Sequence, residues 1–369
     1  MGERFDVAII GAGWSGIGLA HEAARNGFRV AVYDSAPNAG TLTSCNSLRI
    51  VHGGFRYLQT GALARTQRSA EALRLALHQY PEFVTPLSSL LPLSRWGLKS
   101  PIPVRVALAV YHRLAKVPVQ RHGCILGQAE FDAAVPLLCG MARYGALQWW
   151  DGLVVDPRGW FERLVQEATE LGAEFNFRSP VRSVAVTPTH AVVSLAGAAS
   201  VEAKVVFNAA GPLIRSVDLL GVERPERRWC RGFNLIVRPK LASNYAVAGS
   251  GNGRMLFAVP RGDGTAIGTW YLPCHDGADR AEISPSEVAQ AVRELYAAYP
   301  GFIVEMNDVA AVESGVLPLG GYARLGEPIP QGQESTFVAG RYVEILSTKF
   351  TTFMVQAQSL LQSCAHLLQ

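Results

Sequence analysis

Charge is scarce in this chain: only 17% of its 369 residues are Asp, Glu, Lys or Arg. No basic run and no aromatic-basic repeat stands out, so the formal net charge of +4 leaves no electrostatic footprint for nucleic acid. Cysteine is equally thin in pattern. Cys45, Cys124, Cys139, Cys230, Cys274 and Cys364 include no C-x-x-C pair and no histidine at zinc-site spacing, which points to thiols in a reducing compartment and to no metal site. No apolar run is long enough to span a bilayer. The opening MGERFDVAIIGAG sets charged residues before a short apolar run that comes too early for a signal peptide. A cytoplasmic protein is expected, with anionic small molecules or an anionic membrane surface suiting its positive charge.

What the chain has is apolar bulk. With 49% hydrophobic residues in 39.8 kDa it can bury two cores, and two domains are expected. FDVAII reads as a strand, the stretch after GAGWSG as a helix stopped by Gly27, and FRVAVYD as a second strand. That is a β-α-β unit with Gly11, Gly13 and Gly16 at G-x-G-x-x-G spacing and Asp34 closing the second strand. Such a unit binds a dinucleotide: the glycines permit a tight turn, close backbone approach and helix-strand packing, the helix end takes the phosphates, and the acid takes the ribose.

Farther on, GWFERLVQEATELG predicts an amphipathic helix, VRSVAV through VEAKVV short antiparallel strands, and KVVFNAAGP a buried strand ending in small residues. Residues 229–272 alternate as strands, SPSEVAQAVRELYAAYP opens a helix on a Ser-Pro start, STFVAGRYVEI predicts one strand, and a last helix begins near Thr351. The expected architecture is α/β: a Rossmann-type domain from 1–62, 150–225 and 325–369, interwoven with a β-rich substrate domain of mixed antiparallel sheet from 63–149 and 226–324. If 102–117 is helical, Arg105, His112, Arg113 and Lys116 share a narrow face. This suits a domain helix with one wet edge or a helix lying in a membrane interface.

SLRIVHGGFRYLQTG sets Arg49, His52 and Arg56 around Gly53-Gly54, with Tyr57 beside them. The glycines suit a plain turn, and they equally suit a backbone against which a ligand lies.

These motifs, in order, resemble the FAD-dependent glycerol-3-phosphate dehydrogenases of the D-amino-acid-oxidase-like flavoprotein superfamily, which includes the glutathione-reductase-type dinucleotide fold. GAGWSGIGLA is similar to the FAD pyrophosphate loop, TSCNSLRIVHGGFRYL to T-S-S-R-S-S-K-L-I-H-G-G-L-R-Y-L, and FNAAGP to N-A-T-G-P-W. AIGTWYL resembles G-T-T-D, ESGVLPL resembles S-G-V-R-P-L, and STKFTTF resembles G-G-K-L-T-T-Y. The resemblance implies non-covalent FAD held by Gly11, Gly13, Gly16 and Asp34, by the loop of Ser44, Cys45, Asn46 and Ser47, by Ala210 and Gly211, and by Gly340, Thr348 and Lys349. It implies hydride transfer to flavin N5 from a C–H bond next to oxygen or nitrogen of a small-molecule substrate. His52 is the expected general base, Arg56 and Lys349 stabilise charge, and Tyr57, Trp270 and Leu317 line the substrate. The electron acceptor is a quinone or oxygen.

Two departures stand out. Leu317 occupies the arginine position of S-G-V-R-P-L, and Gly268-Thr269-Trp270-Tyr271 replaces G-T-T-D, so an altered substrate is expected, more apolar or less phosphorylated. An amine or amino-acid oxidase is the alternative within the superfamily, and a non-catalytic flavin-binding redox sensor the alternative outside enzymes.

Overall fold

The first β-α-β unit forms as strand Arg4–Ile10, helix Trp14–Arg25 and strand Val30–Tyr33. The second strand is buried along its whole length because helices cover one face of its sheet and an antiparallel layer covers the other. The computed structural model describes residues 4–118, 121–251, 253–274, 281–324 and 326–368, so the extreme ends of the first and last expected segments lie outside it. Parallel strands run in the order Glu174–Asn176, Val30–Tyr33, Arg4–Ile10, Ser200–Asn208 and Tyr342–Leu346. Val181–Val186 and Ala191–Leu195 extend this sheet in antiparallel fashion. Three stretches distant in sequence thereby form one core around the parallel strands.

The second sheet gathers the long strands Val84–Pro92, Ala146–Val154, Trp229–Val237, Tyr245–Gly251, Arg254–Arg261, Gly264–Pro273 and Val309–Tyr322. Alternation divides its side chains. Leu90, Val247, Leu256 and Ala258 pack beneath helix Pro285–Ala298, while Leu87, Ala246, Phe257 and Val259 pack beneath helix Pro101–Ala115. The first of these helices starts on a capping box between Ser284 and Glu287, the Ser-Pro start read from the sequence. Ile50–Val51 and Pro328–Pro330, from stretches expected with the dinucleotide-binding half, hydrogen-bond into this second sheet. The connecting chain therefore crosses between sheets at those points.

Two elements differ from expectation. STFVAGRYVEI is a hairpin of two antiparallel strands, Ser335–Ala339 and Tyr342–Leu346, since Gly340 takes φ 56° and turns the chain. Helix Pro101–Ala115 has more than a wet basic edge. Val104, Leu108 and Tyr111 form its buried stripe, but Ile102, Val106 and Val110 form a second apolar stripe that is exposed.

Candidate functional site

The glycine loop is built by close contact. A Cβ on Gly16 would lie 1.8 Å from the Gly11 carbonyl oxygen, and one on Gly11, at φ 96°, would lie 2.8 Å from the Ala209 oxygen and the Ala210 Cα. This gives the small residues of FNAAGP their reason: the end of strand Ser200–Asn208 runs against the loop, with Ala209 N donating to Ile10 O at 2.8 Å. Asn208 shapes the following turn, its side chain donating to Ile214 O at 3.1 Å and accepting from Ala210 N at 3.1 Å. Gly211 follows at φ 56°.

Helix Trp14–Arg25 begins at Gly13 with no side-chain cap and no acid in its first turn. Trp14 N donates to Ser44 Oγ at 3.4 Å, and the dipole end and the N–H groups after it face an anion site. Asp34 accepts from Ala12 N at 2.6 Å and from Ala36 N at 2.8 Å. Those two bonds fix the carboxylate beside the loop, and a carboxylate has further acceptor capacity for ribose hydroxyls. The cradle fits a dinucleotide.

The 43–47 loop bridges the two sheets. The Ser44 carbonyl accepts from Trp14 Nε1 at 2.8 Å, Asn46 Nδ2 donates to Ser314 O at 2.7 Å, and Ser47 O accepts from Arg261 at 3.1 Å. Arg261 and Arg49 both pair with Glu313, at 2.8 and 3.4 Å. Arg49, one of the cations set around Gly53-Gly54 in sequence, therefore anchors the loop through Glu313. Burial raises the Cys45 thiol above its usual value and keeps it protonated, the property of a space-filling residue.

At Gly53-Gly54 the plain packing reading prevails. A Cβ on Gly53 would lie 2.2 Å from the Tyr111 hydroxyl, and one on Gly54, at φ 89°, 2.8 Å from Ser69 Cβ. Tyr111 and helix Leu63–Gln79 occupy the space beside the two glycines, so of the two readings the turn holds. The turn serves the neighbouring histidine instead. Asp151, buried on strand Ala146–Val154, accepts from Gly53 N at 2.8 Å and Trp149 Nε1 at 3.1 Å, and its Oδ2 lies 3.0 Å from His52 Nδ1. This arrangement makes Nδ1 the donor and leaves Nε2 as an acceptor on a partly exposed ring. Asp151 carries no motif in the sequence, and only the pairing of distant strands brings it here.

The chain after the turn forms the 3-10 helix Phe55–Thr60, which sets Tyr57 against a segment near the carboxy-terminal end of the sequence. The Tyr57 hydroxyl contacts Lys349 Nζ, and the Arg65 guanidinium lies 4.1 Å from the centre of the Tyr57 ring. Burial, then the charges of Arg65 and Arg56, push Lys349 down to about 7, with Glu334 opposing. Thr348 beside it donates to Gln331 O at 2.7 Å, and helix Phe353–Ser363 follows. Arg65, which the structure sets beside Tyr57 and Lys349, was not legible in the sequence, since it lies on a helix with no motif of its own.

Strand alternation decides the remaining residues. Leu317 and Tyr271 both lean over Gly232, whose Cβ would lie 3.2 and 3.3 Å from them. Burial raises the Tyr271 phenol above its usual value, and Arg56 is close enough to oppose this. Trp270 points to the other face, where it stacks on Phe233 at 5.4 Å and donates to Glu294 at 2.9 Å. The structure does not bring Trp270 to the other site residues, and Tyr271 stands in its place. Nor does it bring Gly340, which turns the hairpin at the amino-terminal end of Tyr342–Leu346, opposite the strand ends that carry the glycine loop.

The comparisons with known proteins agree with this geometry. Residues 6–343 match the FAD dependent oxidoreductase family model. Aerobic glycerol-3-phosphate dehydrogenases of Staphylococcus haemolyticus and Staphylococcus aureus are 26% identical over 334 and 333 residues, 86% of this chain. The chain spans 59% of the length of those relatives. Among solved structures, L-alpha-glycerophosphate oxidase from Mycoplasma pneumoniae with FAD bound aligns with TM-score 0.75 and 16% identity over 99% of this chain and 95% of that one. Glycerol-3-phosphate dehydrogenase from Bacillus halodurans complexed with FAD gives 0.72 and 19% over 98% and 64%. Glycine oxidase from Geobacillus kaustophilus gives 0.70 and 18% over 99% and 95%. With a dinucleotide cradle, two interwoven sheets and a family match over most of its length, the chain belongs to the FAD-dependent oxidoreductases of the D-amino-acid-oxidase type, related to glycerol-3-phosphate dehydrogenases.

Proposed function

We propose that this protein oxidises a small anionic substrate at a carbon bearing a hydroxyl or an amine, with His52 taking the proton from that group. The observation that carries the reading is the His52–Asp151 pair, since a carboxylate on Nδ1 holds the ring in the tautomer whose Nε2 accepts a proton. Asp151 orients the ring and stabilises it once protonated. FAD, when bound, supplies the redox chemistry by taking up the hydride. The unit built on the parallel strands holds it through the glycine loop and Asp34, and the second sheet covers the substrate.

Arg56, Arg65 and Lys349 form the cationic side of the site. A charged group on the substrate favours protonation of Lys349, which sits near neutrality before anything binds. The relatives named for glycerol 3-phosphate make a phosphorylated polyol the first compound to try. Leu317, however, offers no paired N–H donors to a phosphate, so a more apolar or less phosphorylated substrate fits this chain better. Electrons leave for a quinone or dioxygen, and a quinone requires contact with a bilayer.

Anaerobic bleaching of the flavin absorbance tests this. Glycerol 3-phosphate, unphosphorylated polyols, amino acids and amines are mixed with the purified protein, and the bleaching rate is compared with that of His52→Gln. Rapid bleaching by one compound class, lost in the variant with FAD retained, supports the reading. Equal rates in the variant would remove His52 from the chemistry, and bleaching by amino acids with peroxide release in air would favour the oxidase alternative.

A further inference from the structure

The 331–334 loop is pinned by two segments distant from it or following it in the chain. Thr348 Oγ1 donates to Gln331 O at 2.7 Å, the Arg65 guanidinium donates to Gly332 O, and Arg68 Nη2 lies 3.1 Å from Glu334 Oε2. Arg65 and Arg68 are three positions apart on helix Leu63–Gln79 and so share one face, which meets the loop just before strand Ser335–Ala339.

A second partner fixes where the Glu334 charge sits. Thr352 is the N-cap residue of helix Phe353–Ser363, a position whose hydroxyl oxygen ordinarily accepts from the helix's own first N–H groups. Thr352 makes no such bond, and its Oγ1 donates to Glu334 Oε1 at 2.9 Å instead. The carboxylate is thus held at the positive end of that helix, with its two oxygens on two different elements. As an ion pair, Arg68 and Glu334 are 36% and 23% exposed and contribute little to stability. What remains is the field of the carboxylate at its neighbours.

The neighbour is Lys349, three residues before Thr352 and half-buried. Its Nζ contacts the Tyr57 hydroxyl and lies 4.5 Å from the centre of that ring. Arg65 and Arg56 both disfavour a further positive charge there, and among the described residues Glu334 is the carboxylate that favours it. A lysine so close to neutrality is tipped between ammonium and amine by one opposing charge.

We propose that Glu334, held between Arg68 and Thr352, is a positioning residue that keeps Lys349 charged for an anionic substrate against the repulsion of Arg56 and Arg65. It rests on the reading of Lys349 as part of the cationic side of the site. Arg68 moderates the effect by sharing the carboxylate, and the Thr352 bond keeps that carboxylate in place.

Sulfate, which stays a dianion from pH 6 to 8, tests this on the full FAD-loaded chain. Its binding is read from the flavin absorbance at constant ionic strength, and the pH midpoint at which affinity falls is the quantity compared. Glu334→Gln keeps an acceptor for Thr352 but loses the charge, and should lower the midpoint by about one pH unit, a tenfold change in proton affinity. Arg68→Met frees the carboxylate of its other cation and should raise the midpoint. Opposite shifts support the proposal, since mere loosening of the Arg68–Glu334 pair would move both variants the same way. Shifts of one sign, or an unmoved midpoint in Glu334→Gln, overturn the role of Glu334 and leave the reading of Lys349 standing. A wild-type affinity that is flat across this range, or a slope that survives Lys349→Met, overturns both.

Discussion

Asp151 Oδ2 stands 3.0 Å from His52 Nδ1 although 99 residues separate them in the chain. The carboxylate is buried and already holds Gly53 N and Trp149 Nε1, so the ring is gripped by a group that itself cannot swing. Asp151→Asn keeps the shape but offers an amide to Nδ1. The turnover number should fall about 10²- to 10⁴-fold, the usual contribution of a positioned base. FAD content should be retained, and the pH profile of the residual activity should differ from wild type. A variant that only loosened the fold would lower FAD content and melting temperature without moving that profile.

Lys349 gives the site a pH dependence of known sign. It is charged below about 7 and neutral above, because burial and the Arg65 and Arg56 charges disfavour the ammonium. Competitive binding of an anion such as malonate should therefore weaken as pH rises from 6 to 8, and Lys349→Met should flatten that slope. Stability moves the other way. The native value lies below the ordinary lysine value of about 10.4, so the unfolded chain binds more protons between about 7 and 10.4, and this group's contribution to stability grows with pH over that window. Melting of wild type against Lys349→Met across the same range checks it.

Adjacent aromatics on one strand should behave differently. Trp270→Phe removes the bond to Glu294 and should lower the melting temperature by about 1–2 degrees, equivalent to about 1 kcal/mol, with KM unchanged. Tyr271→Phe should alter KM with little change in melting. The reverse pattern would put the substrate on the other face of the sheet.

Gly53→Ala directs a methyl group at the Tyr111 hydroxyl, 2.2 Å away before relaxation. Urea unfolding should show a loss of about 1–3 kcal/mol. Adding Tyr111→Phe removes the obstructing oxygen and should recover part of that loss.

Under the proposed function, Leu317 disfavours a phosphorylated substrate. Leu317→Arg restores a planar donor beside Tyr271, and the ratio of kcat/KM for glycerol 3-phosphate over glycerol should rise about tenfold or more, the worth of one charge-assisted hydrogen bond. An unchanged ratio would mean that this position does not face the substrate.

How much of this could be read from residues alone varies with the range of the interaction involved. Gly11, Gly13, Gly16 and Asp34 were legible because a β-α-β unit is a local object: thirty residues contain both the glycines and the elements that make them necessary. The Ser284 start of helix Pro285–Ala298 was legible for the same reason. His52, Tyr57 and Lys349 were named through motifs whose spacing survives, and the structure brings Tyr57 and Lys349 into contact.

The rest depended on which strand faces which. One step along a strand reverses a side chain, so Trp270 could be told from Tyr271 only once the register with Trp229–Val237 was known. STFVAGRYVEI conceals a turn because Gly340 interrupts a run that is otherwise good strand sequence. The Gly53-Gly54 pair suggested open space, and the tertiary fold filled that space with Tyr111 from a helix more than fifty residues away. By itself, then, the sequence determined the dinucleotide unit, the mixture of parallel and antiparallel elements and the residue types of the site, all of which are set by local periodicity and spacing. Only the tertiary structure decided the partner of His52, the face on which each substrate residue stands and the exposure of the second stripe on helix Pro101–Ala115, because burial and orientation are properties of contacts between segments far apart in the chain.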